Sequence, residues 1–161
     1  MRPAALAAAI LASAAALFSA SAEAGVRVSK IAEVMRAEGY GGQALIKDDE
    51  IVILSEIEDI PFEVQFYECE RATTGFDAEC DEVLLVAFLE PDDAPSLDQL
   101  NAWNASSLIG RAYRLRDGSI GFDHPFTAEG GLLDRTIAEN IAWFDAALIE
   151  FVEFLEDAAV S

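Results

Sequence analysis

The chain is short of cations, of histidine and of cysteine, and each shortage removes a class of chemistry. Ten lysines and arginines stand against 30 aspartates and glutamates, giving a formal charge of −20 over 161 residues. A surface of that sign repels phosphate backbones and anionic headgroups, and no local basic cluster offsets it, so nucleic acid is not an expected partner. His124 is the sole histidine, and it has no nucleophile elbow of the GxSxG kind to serve as the base of a hydrolytic triad. Gly39, Gly41 and Gly42 are not followed by the lysine and hydroxyl of a phosphate-cradling loop, so no cofactor is expected from them. The acidic groups Asp48-Asp49-Glu50, Glu56/Glu58/Asp59 and Asp92-Asp93 lack the alternating ligands and central glycine of an EF-hand, and no metal site is assigned to them.

What is present begins with an export signal. Arg2 is followed by an Ala- and Ser-dominated uncharged stretch ending in Ala22-Glu23-Ala24, small residues at the positions a signal peptidase reads. A retained anchor wants about 20 strongly apolar residues, which this leucine-poor stretch does not supply. Residues 1–24 are therefore expected to be removed, leaving 25–161 as a single domain, periplasmic or secreted, with no membrane insertion after cleavage. In that oxidising space two cysteines, Cys69 and Cys80, imply one structural disulfide. Their separation of 11 positions excludes a CxxC redox motif, and a zinc site with His124 would need an unsignalled fourth ligand.

The 53% hydrophobic content excludes charge-driven disorder. Val28, Ile31, Val34 and Met35 are spaced as one helix face, with Ser29 as cap and Gly39 as stop. The stretch 43–57 reads as a hairpin about the turn 47–50. Phe62, Val64 and Phe66 alternate with Glu63, Gln65 and Tyr67 as in a half-buried strand, and 82–90 is apolar on both faces like a central strand. Ser96 with Gln99 forms a capping box for a second helix whose inner face is Leu97, Leu100 and Trp103 or Asn104. Asp117-Gly118 turns a last hairpin, and a long helix runs from about Leu132 to Leu155. The class is α+β, with an antiparallel sheet of about five strands and flanking helices.

The Asn101, Trp103 and Asn104 motif, the Arg111-Ala112-Tyr113 strand, the Asp-Gly turn, the Gly130-Gly131 pair and the aromatic end of the last helix together resemble the YbjN-type family of bacterial sensory transduction regulators. Paired cysteines flanking the central hairpin also recur in such proteins. The resemblance implies a fold similar to type III secretion chaperones, a helix-backed antiparallel sheet that pairs with another copy or cradles a polypeptide, and it implies no catalytic residues. The export signal departs from a regulator acting in the cytoplasm.

The long helix has one face of Leu133, Ile137, Ile141, Phe144, Leu148, Phe151, Val152 and Leu155. Leu132, Trp143 and Phe154 form a second stripe about 120° away. That stripe either lines a wide intramolecular groove or meets a partner. Leu132, Trp143, Phe154, Asn101, Trp103 and Asn104 are thus the partner-binding candidates, although for the asparagines capping or bracing the helix end is the preferred reading. The functional expectation is a non-catalytic exported binding or chaperone-like module acting on a protein partner or on a second copy as a homodimer. The alternative is a small secreted hydrolase or metal-dependent enzyme using His124 and carboxylates. Protein recovered from the periplasm of an expressing bacterium should begin at Gly25 by N-terminal sequencing. An intact Met1 in the membrane fraction would count against the signal.

Overall fold

The computed structural model describes residues 25–47, 50–70, 75–91 and 93–160. The export signal read over residues 1–24, the turn residues 48–49 and the acidic Asp92 lie outside them. Chain order among the described residues is β1 (Val26–Arg27), α1 (Val28–Ala37), β2 (Gln43–Lys47), β3 (Glu50–Ile57), β4 (Ile60–Cys69), a 3-10 turn (Gly75–Asp77), β5 (Glu79–Leu89), α2 (Leu97–Ser106), β6 (Arg111–Arg114), β7 (Ile120–Thr127) and α3 (Asp134–Val160). The strands form one antiparallel sheet in the order β2-β3-β4-β5-β7-β6, with β1 paired to the start of β5. This is the expected α+β class, with seven strands rather than about five.

The first helix starts earlier than Ser29. Val26 and Arg27 pair with Cys80 and Glu79, and the Val28 amide donates to the Ala78 carbonyl at 3.2 Å. That long-range pairing holds the chain extended up to Arg27, which becomes the N-cap without a side-chain hydrogen bond. The helix ends where the spacing predicts. Gly39 takes a φ of +93°, Tyr40 N–H donates to Met35 O and Gly39 N–H to Arg36 O, so two otherwise orphaned carbonyls are satisfied.

Between β3 and β4, Glu58 and Asp59 both have positive φ, 47° and 67°. Two of the residues read as an acidic cluster are therefore a two-residue hairpin turn whose backbone twist matches the flanking strands. In α2 the capping box is formed as expected, Ser96 Oγ accepting from Gln99 N–H and Gln99 Oε1 accepting from Ser96 N–H. Leu97, however, is 60% exposed, and Leu100 alone of the α2 residues is fully buried.

All three helices lie on one side of the sheet. Phe62, Val64 and Phe66 of β4, Val83, Leu85 and Ala87 of β5, and Ile120 and Phe122 of β7 face Ile31 and Met35 of α1 and Ile137, Ile141, Phe144, Leu148 and Phe151 of α3, all buried in one core. Leu133 precedes α3 and is 74% exposed, so the inner face of that helix begins at Ile137. Cys69 and Cys80 are directly opposite in the β4/β5 register, with Cα atoms 3.9 Å apart, and are disulfide-bonded. Closing so short a loop restricts the unfolded chain by about 2–4 kcal/mol. The Cys69→Ser/Cys80→Ser double variant should lose stability of that order in urea denaturation, with its far-ultraviolet circular dichroism in water unchanged.

Candidate functional site

Two surfaces are candidates for a functional site: the end of the helix layer that holds the motif residues, and the opposite face of the sheet. On the helix side the candidates divide. Trp103 lies 5.0 Å from Phe151, 5.4 Å from Phe154 and 6.2 Å from Phe122 between ring centroids. Trp103 and Phe154, read as candidates on separate elements, thus meet each other, and Phe154 is partly buried against the core. The Trp103 indole N–H is buried without a hydrogen-bond partner among the described residues. Asn104 acts as a brace: its Nδ2 donates to Ala112 O at 2.9 Å while its Oδ1 accepts from Ala112 N–H at 2.8 Å. One amide thereby supplies the pair of bonds that a neighbouring strand would give to the edge strand β6. Asn101 is exposed on the outer side of α2.

The stripe read on the last helix is broken at both ends. Leu132 precedes α3, half-buried beside the first turn of α1 in a cleft it shares with Lys30 and Asp134. Phe154 turns inward, as above. Trp143 alone of the three stands out, 50% exposed. His124 lies on the helix side of β7, its Nε2 3.0 Å from Asn140 Oδ1, and Asn140 in turn donates from Nδ2 to Thr136 O. The side chain positioned by this histidine is an amide, and among the described residues no carboxylate is hydrogen-bonded to it. Among the described residues no three His, Cys, Asp or Glu side chains are gathered so as to hold a metal ion.

The face of the sheet away from the helices carries residues that motif reading passed over. Lys47 Nζ reaches across β3 to Glu63 Oε1 at 2.5 Å, Gln65 Nε2 donates to Glu63 Oε2 at 2.9 Å, and the Tyr67 hydroxyl donates to Gln65 Oε1 at 2.6 Å. Farther along, Arg111 binds Asp123 through two hydrogen bonds, 2.8 Å from Nε and 3.1 Å from Nη2. Asp123 is 5% exposed, and such a fork-to-carboxylate pairing satisfies both of its oxygens. The Tyr113 ring lies over Gly121, its partner in register, where a methyl group on the glycine would come within 2.5 Å of the ring. Between these two arrays, Tyr67, Glu82, Leu84, Arg111, Pro125 and Thr127 line a groove of about 370 Å³. Leu54 at 37%, Tyr67 at 38% and Phe88 at 43% exposure set apolar surface among the polar groups.

Burial opposes ionisation of Glu63, but the hydrogen bonds from Lys47 and Gln65 outweigh it and hold the carboxyl below its ordinary range. For the tyrosines every leading influence acts one way. Burial, then the carboxylates nearby, push the phenols of Tyr67 and Tyr113 up. Burial and the hydrogen bond to Asp145 do the same to Tyr40. These are the three tyrosines of the chain. A raised phenol contributes stability that is intact below the unfolded value of about 10 and lost as pH rises toward the folded one. At pH 10, tyrosinate absorbance should be lower in the folded protein than in urea, where it is near half-maximal, and stability should fall beyond that pH.

Alternation along β4 places Glu63, Gln65 and Tyr67 on its outward face, but the partners Lys47, Arg111 and Asp123 become neighbours only through strand order and register. No curated protein matches the chain. Residues 27–157 match the profile of YbjN, described as "Putative bacterial sensory transduction regulator". That span runs from Arg27 at the end of β1 to Asp157 in the last turn of α3 and takes in the Trp103 cluster, the Asn104 brace and the open sheet face alike, and the chain belongs to the YbjN family.

Proposed function

We propose that this protein acts outside the cytoplasm as a non-catalytic regulatory module that holds a polypeptide with basic and apolar side chains on the open face of its sheet. The observation that carries this reading is the prebuilt character of that face. Its polar side chains are tied to one another in two arrays, so an arriving chain meets fixed groups rather than mobile ones, which lowers the ordering entropy of binding. Charge selects the occupant. Lys47 with Glu63 and Arg111 with Asp123 cancel locally, while Glu50, Glu56 and Glu82 point the same way along β3 and β5 on a chain whose total is −20. A cationic partner is attracted over distance and then meets Tyr67, Phe88 and Leu54.

A helix-backed antiparallel sheet with one free face also suits the chaperone-like role that the family resemblance implies. Export is supported by the leader and by the fact that both cysteines are bonded. Trp143, exposed on α3, is a second contact point on the other side of the molecule, and a homodimer through either face would be the self-association form of the same activity.

Fluorescence anisotropy with a labelled Lys/Leu-rich peptide tests the assignment. Binding should be saturable and should weaken strongly between low and physiological salt. Phe88→Glu and Tyr67→Ala should each weaken it about tenfold, the scale of a contact worth more than 1 kcal/mol, with circular dichroism unchanged. Trp143→Ala should leave peptide binding as it was. A folded protein that binds no cationic peptide and sediments as a monomer would sink the reading. A dimer that Phe88→Glu dissociates would instead make a second copy the occupant.

A further inference from the structure

Gly25, the residue that the leader reading makes the new N-terminus, does not sit as a linker residue should. Positions that join a removable segment to a domain are ordinarily exposed and tolerant of side chains. Gly25 is buried, with a φ of +81°. A methyl group on its α-carbon would lie 2.5 Å from the Cys80 carbonyl oxygen and 2.9 Å from Asp81 Oδ1. Only glycine combines that backbone angle with that approach. Residues 26 and 27 continue as β1 against Cys80 and Glu79, so Gly25 is clamped at the β5 residue that also carries the disulfide to β4.

The charges around it are paired with one exception. Arg27 pairs with Glu79 at 3.4 Å, and Lys30 with Asp134 at 2.8 Å and Glu33 at 4.0 Å. Among the described residues no cation pairs with Asp81, though its carboxylate is half-buried beside Gly25. From the methyl position, and with bonds of about 1.5 Å on either side of the α-carbon, the Gly25 nitrogen is within about 6 Å of Asp81 Oδ1. In an uncleaved chain that nitrogen is a neutral amide. Hydrolysis of the Ala24–Gly25 bond by a signal peptidase adds water across it, leaving a carboxylate on Ala24 and an ammonium on Gly25.

We infer that this new ammonium is a structural ligand, docking on the Asp81 carboxylate and the Cys80 carbonyl, so that removal of the leader completes the fold beside the disulfide. The inference rests on the export reading above. It gives the acidic side chain at 81 a role and explains why the first residue of the mature chain is a buried glycine. Leader removal and cysteine oxidation then act on the same point of β5, Cys80.

The test uses the full chain, exported with its own leader and purified from the periplasm, with Asp81→Asn prepared in parallel. The α-amino group is acetylated selectively near neutral pH, where its lower pKa distinguishes it from lysine. Acetylation should lower Tm by about 2–6 °C in the parent protein. It should lower Tm of Asp81→Asn by clearly less, because the charged one of the two acceptors is already gone. An acetylation effect of equal size in both proteins, or in neither, overturns the docking while leaving export intact. A periplasmic product that begins upstream of Gly25 also overturns it. A chain retaining Met1 in the cytoplasm overturns both this inference and the export reading on which it stands.

Discussion

Phe122 is the point at which the layers of this protein are joined. Its ring stacks on Phe151 at 4.8 Å and 15°, meets Phe144 at 5.9 Å and Trp103 at 6.2 Å, and so binds the sheet to both α2 and α3. The loop before β6 closes on the same ring: a methyl group on Gly110, whose φ is +80°, would lie 2.2 Å from its tip. Aromatic pairs in such tilted and offset arrangements contribute beyond the area they bury. The Asn104 amide ties α2 to β6, the strand that pairs with β7. The ring thus joins the sheet to the contact that Trp103 of α2 makes directly with Phe151 and Phe154 of α3.

This packing divides the molecule by chemistry. Most of the buried apolar side chains lie on the helix side, down to Trp103 and Phe154, which look like partner-seeking residues when read singly, while Val52 and Val86 are buried on the other face beneath its polar side chains. The other side keeps apolar surface only in small pieces, Leu54, Tyr67 and Phe88, separated by ion pairs and amide bridges. Buried Asp123 is tolerated there because Arg111 satisfies both carboxylate oxygens, whereas an unpaired charge so placed would be costly. A face of this type stays wet and soluble on its own and still offers fixed donors, acceptors and rings to an incoming chain.

Local signals in the sequence were reliable where one element decides the outcome. The alternation of β4, the apolar run of β5, the Ser96/Gln99 capping box and the Gly39 helix stop all appear as read, because strand pleat, capping geometry and positive φ are properties of neighbouring residues. Reading failed where a distant segment supplies the partner. Ser29 lost its place as cap because Val26 and Arg27 pair with Cys80 and Glu79 of the distant strand β5. Glu58 and Asp59 read as part of a charged cluster, although adjacent acidic residues that tolerate positive φ are also a hairpin signal. The second stripe of α3 assumed a helix starting at Leu132, and its two outer members take other roles once the true start at Asp134 and the position of Trp103 are fixed. The polar arrays of the open face had only half a signal, the outward residues of β4.

The disulfide and β1 converge on a single residue of β5, and this has a mechanical meaning. Tension applied to the start of the folded chain would reach Val26 and pass at once into Cys80, which is held on its other flank by a covalent bond to Cys69. The segment between the two cysteines is out of the load path, and β4 and β5 cannot be peeled apart from that end. Force would be shared by the long central strand and its two neighbours in shear. Among the described residues no strand pairing or disulfide holds α3, which is fastened by side-chain packing and by the contacts of Asp134, Asn140 and Asp145 in its first half, so the chain is more firmly clamped at Val26 than at the end of α3.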